Sequence, residues 1–85
     1  MKEIRYVIKD EIGIHARPAG LLVKEAGKFN CTIRMKKDTK EKDAKSIFSI
    51  MSLGVKKGDE IAITFEGPDE AEASDTIMAF LAENL

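Results

Sequence analysis

The segment Gly13-Ile14-His15-Ala16-Arg17-Pro18-Ala19 concentrates the chemistry of this chain, and His15 is its only histidine. The imidazole stands where a helix is predicted to begin. At a helix start the first backbone N–H groups lack an intrahelical acceptor, and the helix dipole favours an anion. Ala16 and Arg17 supply such donors, whereas Pro18 has no N–H to give. Arg17 adds a permanently charged planar donor suited to phosphate oxygens. An imidazole nucleophile, two backbone donors and a guanidinium, adjacent in sequence, make a site able to accept a phosphoryl group. A phosphoryl group on a ring nitrogen is a good donor to a second nucleophile, so the transfer is reversible in principle. It needs positioning and charge stabilisation more than covalent help from the protein. A histidine near a helix start can also be an ordinary polar residue, and so short a motif does not decide between the two. A metal site is poorly supported, because there is no second histidine and Cys31 is the single cysteine.

The elements that must position His15 are legible in the pattern around it. Glu3 to Lys9 is rich in β-formers and predicts a strand, broken by Asp10 to Gly13. Ala16 to Ala26 predicts a helix: Ala19, Leu22, Val23 and Ala26 fall on one stripe, Pro18 is tolerated in the first turn, and Gly27 can end it. Gly20 inside this helix costs about 1 kcal/mol relative to Ala. Cys31 to Lys36 alternates as a second strand. The charged stretch Lys36 to Asp43 predicts a turn near Asp38 and a short edge strand, where lysines discourage aggregation. Ser46 to Leu53 predicts a short helix with Ser46 as N-cap and Gly54 beyond its end. Lys57-Gly58-Asp59 is a turn, and Glu60 to Phe65 is a strand by alternation. Asp69 is expected to cap the last helix, with Glu72 completing a capping box and Ala73, Ile77, Phe80 and Leu81 forming its apolar stripe. The order β-α-β-β-α-β-α suits an α+β design, one mainly antiparallel sheet with helices packed on one face.

Composition narrows the function classes. At 85 residues one domain is expected, which buries roughly 60% of its unfolded surface. That leaves room for a core but not for a large internal cavity, so chemistry belongs at the surface. Charged residues make up 34%, yet the formal net charge is only −1, against the basic excess of a nucleic-acid binder. A lone Cys31 can form no internal disulfide, and a small core residue is its commonest role. Met1 to Gly13 carries scattered charges and no apolar leader core, and no apolar run approaches about 18 residues. These features point to the cytosol and to no membrane insertion.

A second segment, Ile47 to Leu53, is apolar at most positions. Ile50 and Leu53 can face the sheet together, which would send Phe48 and Met51 elsewhere with Ile47 beside them. Exposed, these three would form a docking patch. Burial of all five is the alternative, and a short apolar run alone does not separate the two. Lys24, Lys28, Lys45 and Lys56 could rim such a patch and steer acidic partners, or be ordinary solvated charges. The acidic last helix is most simply a solvated face.

Gly13 to Ala19 resembles the active-site signature of the HPr family, the histidine-containing phosphocarriers. Ala44-Lys45-Ser46-Ile47-Phe48-Ser49-Ile50-Met51-Ser52-Leu53-Gly54-Val55 is similar to that family's second signature, around a regulatory serine. The separation of the two motifs, the length and the element order match as well. The resemblance covers essentially the whole chain as a single HPr-like domain, residues 1–85. It implies an open-faced β-sandwich, a four-stranded antiparallel sheet with three helices on one face. It implies that His15 is phosphorylated at Nδ1 by enzyme I, itself charged by phosphoenolpyruvate, and passes the group to IIA domains of sugar permeases. Arg17 carries over as the phosphate partner. Ser46 carries over as the target of an ATP-dependent kinase, with a serine kinase/phosphorylase and a catabolite-control repressor as further partners. The protein would be a monomeric, stoichiometric carrier that is not an enzyme and has no cofactor.

Three positions depart from the family pattern. Ile12 stands where Ser or Asn is common, so a polar contact to the site is lost. Gly20 stands where Thr or Ala is usual, which would loosen the first helix. Lys37-Asp38-Thr39-Lys40 replaces the usual Asn-Gly-Lys turn. Two other classes compete with a carrier. One is a purely regulatory adaptor working through Ser46 and the apolar patch, whose HPr-like members lack the histidine. The other is a small phosphate-cleaving enzyme such as an acylphosphatase, which needs an Arg-containing phosphate loop and an Asn to orient water. Asn30 and Asn84 are the only asparagines, and neither lies beside such a loop.

Overall fold

Alternating apolar and polar residues build the sheet, and the face they leave apolar decides where the helices go. The computed structural model describes residues 1–85. Its elements are β1 (Lys2–Val7), α1 (Ala16–Ala26), β2 (Thr32–Lys37), β3 (Lys40–Asp43), α2 (Ile47–Ser52), β4 (Glu60–Glu66) and α3 (Glu70–Asn84). The four strands lie in the order β1-β4-β2-β3, and every pairing is antiparallel. In this register Ile63 lies between Ile4 and Met35, and Phe65 faces Ile33. These side chains share one face, because successive residues of a strand point to opposite sides.

That face meets the helices. Ala19, Leu22 and Ala26 of α1, Ile50 of α2, and Ala73, Ile77 and Leu81 of α3 join Ile33, Met35, Ile61, Ile63 and Phe65 in one core. The small Ala19, Ala26 and Ala73 let helix backbones approach the sheet, and Leu22, Ile77 and Leu81 fill the space between. Burying a side chain of the Leu or Ile type is worth about 1.5–3 kcal/mol. The other sheet face is open. Arg5 pairs there with Glu3 and Glu60, and Arg34 with Glu41 at 2.8 Å. Such exposed pairs are worth about 0–1 kcal/mol each. The expected α+β open-faced sandwich is thus the observed fold.

The start of α3 departs from expectation. Asp69 is its N-cap residue, but its side chain makes no capping bond. The carboxylate instead accepts the backbone N–H groups of Asn30 at 2.8 Å and Cys31 at 2.9 Å. Glu70 takes part of the local role, accepting the Gly67 N–H at 3.1 Å. The capping box with Glu72 does not form, because the turn before β2 offers Asp69 two donors that otherwise have no strand partner. The same contact explains why β2 begins at Thr32 and not at Cys31. Cys31 is buried in the core, and burial pushes its thiol pKa up.

Candidate functional site

His15 is the N-cap residue of α1, with extended backbone (φ −99°, ψ −177°) and a side chain that makes no capping bond. Its carbonyl accepts the Ala19 N–H at 3.0 Å, so the helix begins without using the imidazole. Ala16 and Arg17 come next, and their N–H groups have no acceptor in the chain. Pro18 is buried in the first turn. The Arg17 side chain is exposed and has no carboxylate within ion-pair distance.

His15, Arg17 and Pro18 line an open hollow of about 240 Å³ together with Asp10, Leu21 and Asn84. A half-buried imidazole and an uncommitted guanidinium, at a helix start with two unspent N–H donors, make it receptive to a tetrahedral anion. Asp10 and Asn84 join it only through the fold, Asn84 arriving at the far end of α3. A larger hollow of about 380 Å³ lies on the open sheet face, with Arg5 and Lys36 among Glu3, Glu41 and Glu60. It holds no nucleophile, and its Arg5 is already paired with Glu3 and Glu60. No three His, Cys, Asp or Glu side chains converge to hold a metal ion.

The loop before His15 is tightly specified. The Asp10 carboxylate accepts the Ile12 N–H at 2.9 Å, and its carbonyl accepts the Gly13 N–H at 3.0 Å. Gly13 has φ +78°, in the left-handed region that glycine enters without strain. Ile14 is buried, and its N–H donates to the Val55 carbonyl at 3.1 Å. Ile12 projects into solvent at 69% exposure and brings no polar group to the site. Val55 carried no functional signal in the sequence, because its role depends on two loops meeting.

Helix α2 divides its apolar residues between the core and the surface, which decides between the two alternatives its spacing left open. Ile50 and Leu53 are buried at 1% and 3%, while Ile47, Phe48 and Met51 are exposed at 37%, 85% and 41%. The Ser46 hydroxyl accepts the Ser49 N–H at 3.4 Å, a long bond. A Cβ placed on Gly20 would meet Ile47 Cδ1 at 3.8 Å, so α1 and α2 approach closely here and an alanine would still fit. The lysines divide. Lys24 and Lys56 are exposed and unpaired, Lys28 pairs with Glu25 at 3.2 Å, and the half-buried Lys45 donates to the Phe29 carbonyl at 2.7 Å. The Lys45 ammonium is thus engaged within the fold.

Fold and site together define a small open-faced β-sandwich that presents one imidazole at an anion-receptive helix start. Comparison with known proteins places that class more narrowly. The family model described as the PTS HPr component phosphorylation site matches residues 2–83. The phosphocarrier protein HPr of Mycoplasma pneumoniae is 45% identical over 85 residues, covering 99% of this chain and 97% of that protein. The crystal structure of HPr from Thermoanaerobacter tengcongensis has a TM-score of 0.94 at 44% identity, covering 98% of this chain and 93% of that one. Crh of Bacillus subtilis, described as a catabolite repression protein with a swapped dimer, has a TM-score of 0.79 at 36% identity, covering 100% and 98%. The chain belongs to the HPr family, the phosphocarriers of the phosphotransferase system. No helix is long and apolar enough to cross a membrane.

Proposed function

We propose that His15 accepts a phosphoryl group from phosphoenolpyruvate-charged enzyme I and passes it to IIA domains of sugar permeases. The observation that carries this is the meeting of His15 and the unpaired Arg17 side chain on one open hollow, at a helix start whose Ala16 and Arg17 N–H groups have no acceptor in the chain. The Nδ1 lone pair attacks phosphorus, the bond to the donor breaks, and the new N–P bond is itself cleaved by the next nucleophile. The two N–H groups and Arg17 hold the phosphoryl oxygens through both transfers. The hollow's openness suits a carrier, since donor and acceptor must each reach the same atom. Ile47, Phe48 and Met51 form the docking patch for these partners, with Lys24 at its rim.

A regulatory role accompanies this one. Ser46 begins α2 beside the exposed Ile47 and Phe48, so a phosphate placed there by a serine kinase would put charge at the patch without entering the core. A repressor with a basic pocket would then dock in place of enzyme I. A purely regulatory adaptor is the alternative, favoured by the likeness to Crh and opposed by the free imidazole at His15.

Incubation with labelled phosphoenolpyruvate and enzyme I separates the readings. A carrier retains acid-labile label on wild type and takes none as His15→Ala. An adaptor takes none in either form, and a phosphatase releases the label as inorganic phosphate.

A further inference from the structure

The loop that carries His15 rests on the segment between α2 and β4. The Ile14 N–H donates to Val55 at 3.1 Å, Ile8 N–H donates to the Asp59 carbonyl at 2.9 Å, and Gly58 N–H donates to the Ile8 carbonyl at 2.8 Å. Both ends of the His15 loop are therefore pinned to residues 55–59. That platform is held in turn by Lys37, the last residue of β2. Its ammonium donates to the Gly54 carbonyl at 2.9 Å and stands 3.0 Å from Asp59 Oδ2. The same carboxylate oxygen accepts the Lys56 N–H at 2.8 Å. One ammonium thus clamps Gly54 and Asp59, the two ends of a short loop that has Val55 between them.

The geometry points to Lys37 and Asp59 as positioning residues for His15, acting through Gly54 and Val55 on the Ile14 peptide. Neither residue lines the hollow, and neither belongs to the docking patch. The inference rests on the reading of His15 as the phosphoryl acceptor. Its physical basis is that an ammonium anchored on a sheet end offers three donors at once and fixes both ends of the loop against a rigid element. The Lys56 N–H and the Lys37 ammonium hold the Asp59 carboxyl below the usual carboxylate range, so the clamp is charged at neutral pH. Misplacing a reacting group by about 1 Å can cost about a hundredfold in rate, whereas a partly exposed ion pair contributes little to stability. The clamp therefore matters more to transfer than to melting.

The test uses Asp59→Asn, which keeps an oxygen for Lys56 and removes the charge, and Lys37→Met, which keeps the stem and removes the ammonium. Asp69→Asn, away from the site, controls for general loosening. Phosphoryl transfer from enzyme I is measured as separate kcat and KM, together with amide hydrogen exchange at Ile14. Both clamp variants should lose about tenfold in kcat with KM unchanged, since the docking patch is untouched. Both should exchange the Ile14 amide faster, and Asp69→Asn should do neither. Wild-type kcat and Ile14 exchange in the clamp variants, or equal losses in Asp69→Asn, would overturn the inference. Failure of the wild type to accept any phosphoryl group would overturn the functional reading instead. The Ile14 exchange would then decide whether the clamp holds the loop, unchanged protection sinking it and faster exchange upholding it.

Discussion

Gly13 lies so close to Val55 that a Cβ on Gly13 would stand 2.4 Å from the Val55 carbonyl oxygen and 2.7 Å from Lys56 Cα. Backbone atoms cannot yield as a side chain can, and the positive φ adds about 1–2 kcal/mol for any residue with a Cβ. Gly13→Ala should therefore lose more than about 2 kcal/mol, or roughly 8–16 °C in Tm for a domain of this size. Phosphoryl acceptance should fall with it, because the displaced peptide is two residues from His15. A Tm equal to wild type would show that the two loops separate without penalty.

Arg17 has no partner of its own in the fold, so its removal should leave stability nearly unchanged. Loss of one preorganised donor commonly raises a barrier by about 2.7–4 kcal/mol. Arg17→Ala should slow transfer by that measure, and Arg17→Lys should recover only part, because a point charge does not reproduce the planar fork. Equal rates for wild type and Arg17→Ala would reduce Arg17 to a bystander.

Ser46 makes a long capping bond of 3.4 Å, so Ser46→Ala should sit at the weak end of capping losses, about 0.5 kcal/mol. Ser46→Asp should be as stable as wild type or more so, since negative charge suits a helix start. It should nonetheless bind enzyme I less well, through charge beside Ile47 and Phe48. Affinity and Tm measured together give the answer. Wild-type affinity in Ser46→Asp, or loss of binding that merely follows unfolding, would leave Ser46 a cap alone.

Asp69 should make stability depend on pH. The Asn30 N–H, the largest influence, and further hydrogen bonds from Cys31 hold its carboxyl below the ordinary range. A depressed folded value means that its contribution is present above the unfolded carboxylate pKa, about 3.9, and is lost as pH falls through the folded value. Asp69→Asn should lower Tm at neutral pH and flatten the decline below about pH 4. Asp59 and Glu70, also depressed, keep part of that decline. An Asp69→Asn curve parallel to wild type at every pH would refute this.

Local rules, acting among near neighbours, determined the element order of this chain. Alternation in Glu60 to Phe65 and Cys31 to Lys36 and the apolar stripe of Ala19, Leu22 and Ala26 specify strands and a helix before any tertiary contact exists. They also placed His15 at a helix start, with Arg17 in the first turn, whereas the burial of Ile50 and Leu53 and the exposure of Phe48 and Met51 were left to the packing of α2 on the sheet. Tertiary structure alone decided contacts between segments that approach late. Asp69 has the residue type and position of a helix cap, yet Asn30 and Cys31, distant in sequence, offered it two unpaired donors. Lys45 resembles a free rim lysine in sequence, but the Phe29 carbonyl holds it. Val55, Asn84, Lys37 and Asp59 reach the His15 loop or its support only because β4 and α3 return alongside β1. Propensity and periodicity describe what a residue does with neighbours a few positions away, whereas a hydrogen bond between loops depends on where the sheet brings them together.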